Sequence, residues 1–480
     1  MLFTEPAFLF LFLPIVLAVY SVLRGHESRN VWLLLASIAF YATGGGQFLA
    51  PMLASIVLNY LFAVAVARAQ ATSPRLASAV LIATVGANLA VLAWFKYASF
   101  LVGNANGIAH LFGAPGWAVP DVALPIGISF FTFHAISYVV DVYRGAAIAQ
   151  KNPVHAALYL LLFPQLIAGP IIRWRDIAAQ LPDREQRMAD FAYGVRRFVL
   201  GLGKKVLIAN TLGRVADQIF ALPTAELTTP LAWLGLACYT LQIYFDFSGY
   251  SDMAIGLMRM FGFRILENFN YPYIARSIRE FWRRWHISLS NWFRDYLYIP
   301  LGGNQRGERR AYANLVIVFL LCGLWHGASW PFVLWGAWHG AFLVAERAGV
   351  DRLLRRSGPL AHAYALLAVM GGWVLFRCET LTQAVGYYAA LAGHAQGDAF
   401  RHPLREFLDP FVACTLAVGV VFATPLARQI GRWRDRVGAT PGLAANALLC
   451  IDTGWLALVF IVASAFLAAG TYNPFIYFRF

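Results

Sequence analysis

Long apolar runs joined by short links constrain the fold of this chain more than any other feature. Hydrophobic residues make up 60% of the 480 residues and charged residues only 13%, whereas soluble domains have roughly 45–50% and about 25%. Runs of this length cross a lipid bilayer, or nearly do, as helices. The pattern predicts an all-α polytopic integral membrane protein that crosses the membrane several times. The predicted spans are Ala7–Leu23, Val31–Thr43, Phe48–Ala67, Leu76–Phe95, Val122–Val142, Ala156–Ile172, Leu231–Phe247, Ala313–Leu324, Pro331–Ala345, Ala361–Phe376, Pro410–Thr424 and Leu443–Ala469.

Several of these runs are too short for a straight crossing, or contain proline and glycine, as in Phe163–Pro170. Such segments are tolerated at membrane depth only when they are buried in protein or line a wet cavity. We therefore expect an irregular bundle with an internal cavity. The first run has no basic segment before it and no cleavage site after it, so we expect it to be retained as a span.

Basic residues are concentrated in the links between apolar runs, and the net charge is +14. Such links are held on the cytoplasmic side, near anionic headgroups, so the charge indicates membrane lipids as partners and does not indicate nucleic acid. Alternation of basic and non-basic links places the N-terminus outside the cytoplasm. The basic links are 24–29, 68–75 and 144–151, and those without Lys or Arg are 44–47 and 103–121.

The five cysteines stand singly in apolar surroundings, without a CxxC pair or a Cys/His cluster. Neither a disulfide framework nor a metal site is indicated. Cys322 lies four residues before His326 and shares its helical face, which leaves an acyl-thioester relay open as an alternative.

The segment 278–296 alternates aromatic and basic residues at helical spacing. It predicts one amphipathic helix at the membrane interface, with aromatic side chains down and guanidinium groups outward. His286 belongs to the buried face of this helix. The segment Phe191–Ile208 predicts a second amphipathic helix of this kind, with less regular spacing.

His326 stands between Gly323 and Gly327, a small-xxx-small pair that allows close approach of helices, and Pro331 then ends or kinks the helix. An ionisable residue at membrane depth is a functional candidate by default. Imidazole suits proton transfer near neutral pH. His339 is expected to be structural.

The carboxylates of Asp246 and Asp252 follow an apolar run directly. They fit a proton relay or an ion site, although paired structural anchors are the preferred interpretation. The residues alone therefore leave two classes of function open. One is an enzyme with a membrane-embedded histidine as general base on a hydroxyl group, and the other is a transporter with a proton relay.

At these motifs the chain resembles the membrane-bound O-acyltransferase (MBOAT) superfamily. More narrowly, it is similar to the bacterial branch typified by the membrane subunit of alginate O-acetyltransferase. The resemblance covers nearly the whole length and is carried by Phe10–Pro14, Phe163–Pro170, Asp246–Asp252, Glu267–Phe269, Trp285–Tyr296, Gly323–Gly327 and Pro474–Phe478.

The resemblance implies a single MBOAT membrane domain over 1–480, with core motifs at 240–346. It implies about eleven or more transmembrane helices, plus interfacial and re-entrant helices, around a central funnel or tunnel. His326 matches the family's distal histidine and is expected to be the catalytic base, while His286 matches the upstream histidine, which orients donor or acceptor. From spacing, Asn291 and Asp295 are expected to fix the position or tautomer of His286. Trp325 is a candidate hydrogen-bond donor to the oxyanion.

The implied activity moves an acetyl group from a cytosolic thioester toward a hydroxyl of an exported polysaccharide such as alginate, across the bacterial inner membrane. Acetyl-CoA is expected as the donor substrate, with no permanently bound cofactor, and no cofactor-binding residue is assigned. Transfer is direct or passes through a periplasmic or membrane-anchored acetyltransferase partner. A lipid or protein O-acyltransferase, or a proton-coupled transporter, remain the alternatives.

Overall fold

Helices form the regular structure, as the apolar patterning predicts. A computed structural model describes residues 1–440, 442–470 and 472–474, and no strand occurs among them. The α-helices run over Leu13–Val22, His26–Gly45, Leu49–Thr72, Pro74–Leu111, Ile128–Tyr143, Pro153–Leu161, Phe163–Leu166, Trp174–Ile177, Met188–Gly203, Asn210–Phe220, Thr229–Met260, Ile278–Arg284, Ile287–Phe293, Glu308–His326, Trp330–Ala345, Asp351–Leu354, Pro359–Arg377, Leu381–Leu391, Leu404–Phe407, Pro410–Phe422, Leu426–Gly438 and Leu443–Ala468. π-Helical turns occupy Phe8–Phe12, Lys204–Ala209, Arg294–Tyr298 and Glu346–Val350, and 3-10 turns occupy Gly46–Phe48, Ala178–Gln180, Thr224–Glu226 and Pro272–Ile274.

Four helical segments of the described chain are long and apolar enough to cross a membrane. A fifth crossing is reached if Pro410–Phe422 and Leu426–Gly438, which are bent by 65° against each other, count as one. The prediction of an all-helical, membrane-type fold is confirmed, and the count of eleven or more spans stays a prediction. The four segments are His26–Thr72, Pro74–Leu111, Pro359–Arg377 and Leu443–Ala468.

The candidate spans expose large apolar side chains. Ile82, Trp94 and Leu111 on the helix Pro74–Leu111 are all exposed. In water such a surface carries a cost of roughly 25 cal/mol per Å², whereas lipid tails are as apolar as these side chains. The exposed faces therefore fit contact with lipid.

Residue contacts divide the chain into two units. The first consists of Met1–Val195, Ala254–Leu266 and Trp292–Tyr296. In this unit the Phe163–Pro170 segment is buried throughout, and the helix Pro153–Leu161 ends just before it. The predicted span Ala156–Ile172 is therefore a broken segment within protein, as the rule for irregular backbone in membranes requires.

The second unit consists of Arg196–Met253, Glu267–Asn291 and the chain from Leu297 onward. Its helices Glu308–His326 and Trp330–Ala345 form a tightly packed hairpin. A Cβ atom on Gly323 would overlap the carbonyl of Phe332, and one on Gly336 would overlap the carbonyl of Phe319. The prediction that Gly323 permits a close helix approach is confirmed.

Two ion-pair groups hold the Asp246–Asp252 motif in the second unit. The Asp246 carboxylate lies 2.6 Å from the ammonium of Lys205, and both side chains are buried. The Asp252 carboxylate lies 2.6 Å from Lys204 and 2.7 Å from Arg197. These contacts support the interpretation of both carboxylates as structural anchors. Of the terminal motif, Phe475–Phe478 lies outside the described residues, and the single domain over 1–480 stays a prediction.

Candidate active site

The segment predicted as one amphipathic helix is broken at its histidine. The structure has a helix Ile278–Arg284, a second helix Ile287–Phe293 and then the π-helical turn Arg294–Tyr298. Between the first two helices, His286 adopts a left-handed backbone with φ +44°. A non-glycine residue in that region costs about 1–3 kcal/mol. The prediction of a continuous helix over 278–296 is therefore wrong.

Asn268 and Asn270, on the irregular segment that precedes these helices, explain the break. The Asn270 amide donates to the carbonyl of Arg284 at 2.9 Å, and the Ile287 amide donates to the carbonyl of Asn268 at 2.9 Å. The Ser288 amide donates to Asn268 Oδ1 at 3.2 Å. Groups at helix ends that lack intrahelical partners are thus satisfied from outside, which stabilises two short helices over one long one.

His286 is held by the Asn268 side chain. The ring is 1% exposed, and its Nδ1 lies 3.2 Å from Asn268 Oδ1 and 3.4 Å from Ser288 Oγ. Since Oδ1 also accepts from the Ser288 amide, and Nδ2 donates to Ser251 Oγ at 3.0 Å, the amide orientation is fixed. Nδ1 therefore faces an acceptor and carries the hydrogen, so Nε2 bears the lone pair.

The neutral form of His286 is favoured by its surroundings. Burial, and secondarily positive charge on His326, hold the pKa of His286 well below its ordinary value. Phe247 packs nearly perpendicular to the ring at a centroid distance of 4.6 Å. We therefore expect an uncharged imidazole here at neutral pH.

His326 is the last residue of the helix Glu308–His326 and is 6% exposed. Its Nδ1 lies 2.7 Å from the carbonyl oxygen of Cys322. A carbonyl oxygen only accepts, so Nδ1 carries the hydrogen and Nε2 holds the lone pair. The rings of Trp325, Trp335 and Phe376 surround the imidazole at 4.8, 4.8 and 5.3 Å between centroids.

The same geometry weighs against the thioester relay through Cys322. Its sulfur lies 3.9 Å from His326 Nδ1, the nitrogen that is already protonated. That nitrogen is in no state to accept the thiol proton, although a cysteine nucleophile needs such a base.

Trp325 lies next to both histidines. Its ring centroid is 6.3 Å from that of His286 and 4.8 Å from that of His326, and the side chain is buried. The structure thus gathers His286, Trp325 and His326, three of the residues singled out in the sequence, into one cluster of rings.

His339 has the opposite tautomer and a structural setting. The indole N–H of Trp282 donates to its Nδ1 at 3.4 Å, and the ring packs against Phe281 and Trp335. A Cβ atom on Gly372 would press against its Nε2. These contacts support the structural role expected for this histidine.

Asn291 and Asp295 do not take the supporting role expected from their spacing. Asn291 is half-buried, and its side chain makes no hydrogen bond within the described residues. Asp295, in the first unit, accepts from Arg173 at 2.6 Å, from Arg294 at 2.8 Å and from Arg175.

Asn268 and Ser288 orient His286 instead. The sequence signal for this role is an amide residue, Asn268, inside the otherwise charged and aromatic motif Glu267–Phe269; no role was predicted for that residue.

Comparison with known proteins identifies the family of this site. The membrane-bound O-acyltransferase family matches residues 128–364, which include both histidines. The chain is also 44% identical over 491 residues to the "probable alginate O-acetylase AlgI" of Pseudomonas putida, with all of both chains covered. The chain belongs to the membrane-bound O-acyltransferase family.

Two further MBOAT relatives support the same class of activity. The "probable alginate O-acetylase AlgI" of Pseudomonas aeruginosa is 49% identical over 392 residues, covering 82% of this chain and 75% of its own. The "peptidoglycan O-acetyltransferase" of Helicobacter pylori is 32% identical over 533 residues, covering 100% and 98%. This MBOAT protein is therefore an O-acyltransferase with membrane-type helices, and the individual roles of His326 and His286 stay predictions.

Proposed function

We propose that this MBOAT protein moves an acetyl group from cytosolic acetyl-CoA to a hydroxyl of an exported cell-envelope polysaccharide such as alginate. The final transfer is direct or passes through a periplasmic or membrane-anchored acetyltransferase partner. The protein resides in the bacterial inner membrane, with about eleven or more spans around a funnel or tunnel. The observation that carries the proposal is the pair of buried histidines, each with Nδ1 held by an acceptor, in a chain similar over its full length to probable alginate O-acetylases.

His326 acts as the general base. Its Nε2 removes the proton of the acceptor hydroxyl as that oxygen attacks the thioester carbonyl. A carbon–oxygen bond forms, the carbon–sulfur bond breaks, and the coenzyme A thiolate leaves and takes the proton from Nε2. The Cys322 carbonyl, 2.7 Å from Nδ1, stabilises the imidazolium formed on the way.

His286 and Trp325 prepare the reacting groups. The lone pair on His286 Nε2 accepts a hydrogen bond from a second, neighbouring hydroxyl of the acceptor sugar, which aims the attacking oxygen at the thioester. The Trp325 indole, which lies against both imidazole rings, supplies a donor for the oxyanion. A buried donor of this kind contributes roughly 3–4 kcal/mol to the transition state.

A longer acyl donor, as in a lipid or protein O-acyltransferase, is a second candidate because of one cavity in the second unit. The cavity has a volume of about 310 Å³, opens to the outside and is almost wholly apolar. Tyr273 forms part of its wall, and the Tyr273 hydroxyl accepts from the Trp373 indole at 3.2 Å. The residues lining this cavity include neither His286 nor His326, so we favour a short acyl group at the site.

The test measures release of coenzyme A by chromatography from the purified protein, with acetyl-CoA and long-chain acyl-CoA compared. His326→Ala, His326→Gln and His286→Ala are compared with wild type, and His394→Ala, at an exposed position, is the matched control. Loss of a general base lowers rates by roughly 10²–10⁴-fold, so we expect that loss in both His326 variants with unchanged elution and melting. In cells, the same variants should lose acetylation of the exported polymer.

Normal coenzyme A release in folded His326→Ala protein would refute the base at this position. A clear preference for long-chain donors would replace the acetyl assignment by the second candidate.

A further inference from the structure

The helix Leu426–Gly438 has two chemically distinct faces, although it contains no long apolar run. At about 100° per residue, Leu426, Ile430, Trp433 and Val437 fall on one narrow stripe. The other side of the helix carries arginines at four-residue spacing, namely Arg428, Arg432 and Arg436.

The apolar stripe is only partly covered by the rest of the described chain. Leu426, Ile430 and Trp433 are 38%, 50% and 58% exposed. A tryptophan and two aliphatic side chains on one exposed stripe are unfavourable in water, and an aromatic ring of this kind is typical of the membrane–water boundary.

The basic face has cations that no carboxylate of the described residues neutralises. Arg432 and Arg436 are exposed and make no ion pair or hydrogen bond within that part of the chain. Arg428 donates to Asn270 Oδ1 at 3.1 Å, and Arg434 pairs with Asp435 at 2.7 Å. The guanidinium groups of Arg432 and Arg436 are therefore complementary to anionic groups outside the protein.

The helix stands between two apolar helices in the chain. It follows the apolar helix Pro410–Phe422 after a bend of 65° and precedes the candidate span Leu443–Ala468 by four residues. It also packs against Leu443–Ala468. Both neighbours are apolar helices, so Leu426–Gly438 lies beside segments whose surfaces fit contact with lipid.

We propose that Leu426–Gly438 is a surface-bound helix that inserts its Leu426–Ile430–Trp433 stripe among lipid chains and binds anionic phospholipid headgroups through Arg432 and Arg436. Helices with an arginine-rich face and a Trp/Leu face lie in the interfacial plane and bind anionic lipid preferentially. Four arginines among thirteen residues make a purely transmembrane course for this helix costly. The proposal does not depend on which acyl group or acceptor the enzyme uses.

The test compares two positions on opposite faces of the same helix. Nitroxide labels are placed on Ile430→Cys and Arg432→Cys in a background with the exposed Cys414 and Cys450 replaced by serine. The full-length protein is reconstituted in bilayer discs, and accessibility to oxygen and to a water-soluble nickel complex is measured. We expect the label at 430 to be more accessible to oxygen, and the label at 432 to be more accessible to the nickel complex.

The lipid arm uses discs of phosphatidylcholine alone and of phosphatidylcholine mixed with phosphatidylglycerol. We expect the label at 430 to lie deeper with phosphatidylglycerol, and Arg432→Gln/Arg436→Gln to abolish that difference in the Ile430→Cys protein. Each arginine is expected to strengthen binding to an anionic surface about fivefold, and added salt should weaken it.

Equal exposure of both labels to nickel would overturn the proposal, because the helix would then stand free in water. Protection of both labels from both reagents would also overturn it, because a protein surface would then cover the helix. If the depth of the label at 430 does not change with phosphatidylglycerol or with salt, the proposed binding of anionic headgroups would be refuted.

Discussion

Replacing Asn268 tests how the orientation of His286 contributes to catalysis. Asn268 Oδ1 accepts from three groups, the Ser288 amide at 3.2 Å, the Ser288 hydroxyl at 2.9 Å and His286 Nδ1 at 3.2 Å. In Asn268→Ala the hydroxyl can turn toward Nδ1, 3.4 Å away, but the Ser288 amide loses its acceptor. A buried donor without a partner costs about 1–3 kcal/mol, so we expect unfolding to become easier by about that amount.

The catalytic rate of Asn268→Ala should also fall, for a reason independent of the lower free energy of unfolding. Without Oδ1, the preference of His286 for a hydrogen on Nδ1 weakens by about 1–2 kcal/mol, which corresponds to a factor of about 5–30 in rate. The assay is coenzyme A release at saturating acetyl-CoA, with thermal unfolding measured on the same preparation in detergent. Asn291→Ala is the matched control, because its amide makes no hydrogen bond in the described chain.

Asn268→Asp separates orientation from general structural damage. The carboxylate keeps an acceptor at Nδ1 but adds negative charge beside His286, which raises the pKa of the imidazole and counteracts the lowering caused by burial. His286 would then protonate at a higher pH. The fall in rate on the acid side of the pH–rate profile should therefore begin at a higher pH in this variant. A full rate in Asn268→Ala, together with an unchanged profile in Asn268→Asp, would refute the positioning role.

Three other substitutions test the scaffold and the chemistry. Gly336→Ala forces a methyl group onto the Phe319 carbonyl and should lower stability by about 1–3 kcal/mol; a wild-type melting temperature would contradict the close packing. Asp246→Asn leaves the Lys205 cation buried and should cost about 3–5 kcal/mol, whereas an apolar replacement of both residues should recover most of the melting temperature. Cys322→Ala keeps the backbone carbonyl that holds His326, so coenzyme A release should be unchanged, and a loss there would restore the thioester relay.

The position of a helix was predictable where a continuous apolar run in the sequence determines it. The apolar runs 313–324 and 361–376 lie inside the helices Glu308–His326 and Pro359–Arg377, because burial in lipid or protein selects for local composition. The helix Leu426–Gly438 was missed because its apolar residues are scattered at helical spacing and are outnumbered by polar ones.

The break at His286 was not predictable from its own segment. Aromatic residues keep helical spacing on both sides of it, so the pattern continues across the break without interruption. The cause is Asn268, 18 residues upstream. Asp295 shows the same limit, since its partner Arg173 lies 122 residues away in sequence, whereas spacing reports only neighbours on one helix.

The two histidines themselves were predictable, because imidazole is rare and costly in apolar segments. Their tautomers were not, because each depends on which backbone or amide oxygen faces Nδ1 in the folded chain.

The left-handed backbone at His286 also limits which residues this position accepts. Asparagine, aspartate and glycine tolerate φ near +44°, whereas β-branched residues are strained there. A library randomised at 286 should therefore return folded protein mainly with these small residues, and asparagine alone among them would combine a compatible backbone with a neutral amide that can hydrogen-bond a hydroxyl. Few residues could therefore replace His286 during evolution. The backbone conformation excludes most substitutions because they impair folding, whatever their effect on catalysis.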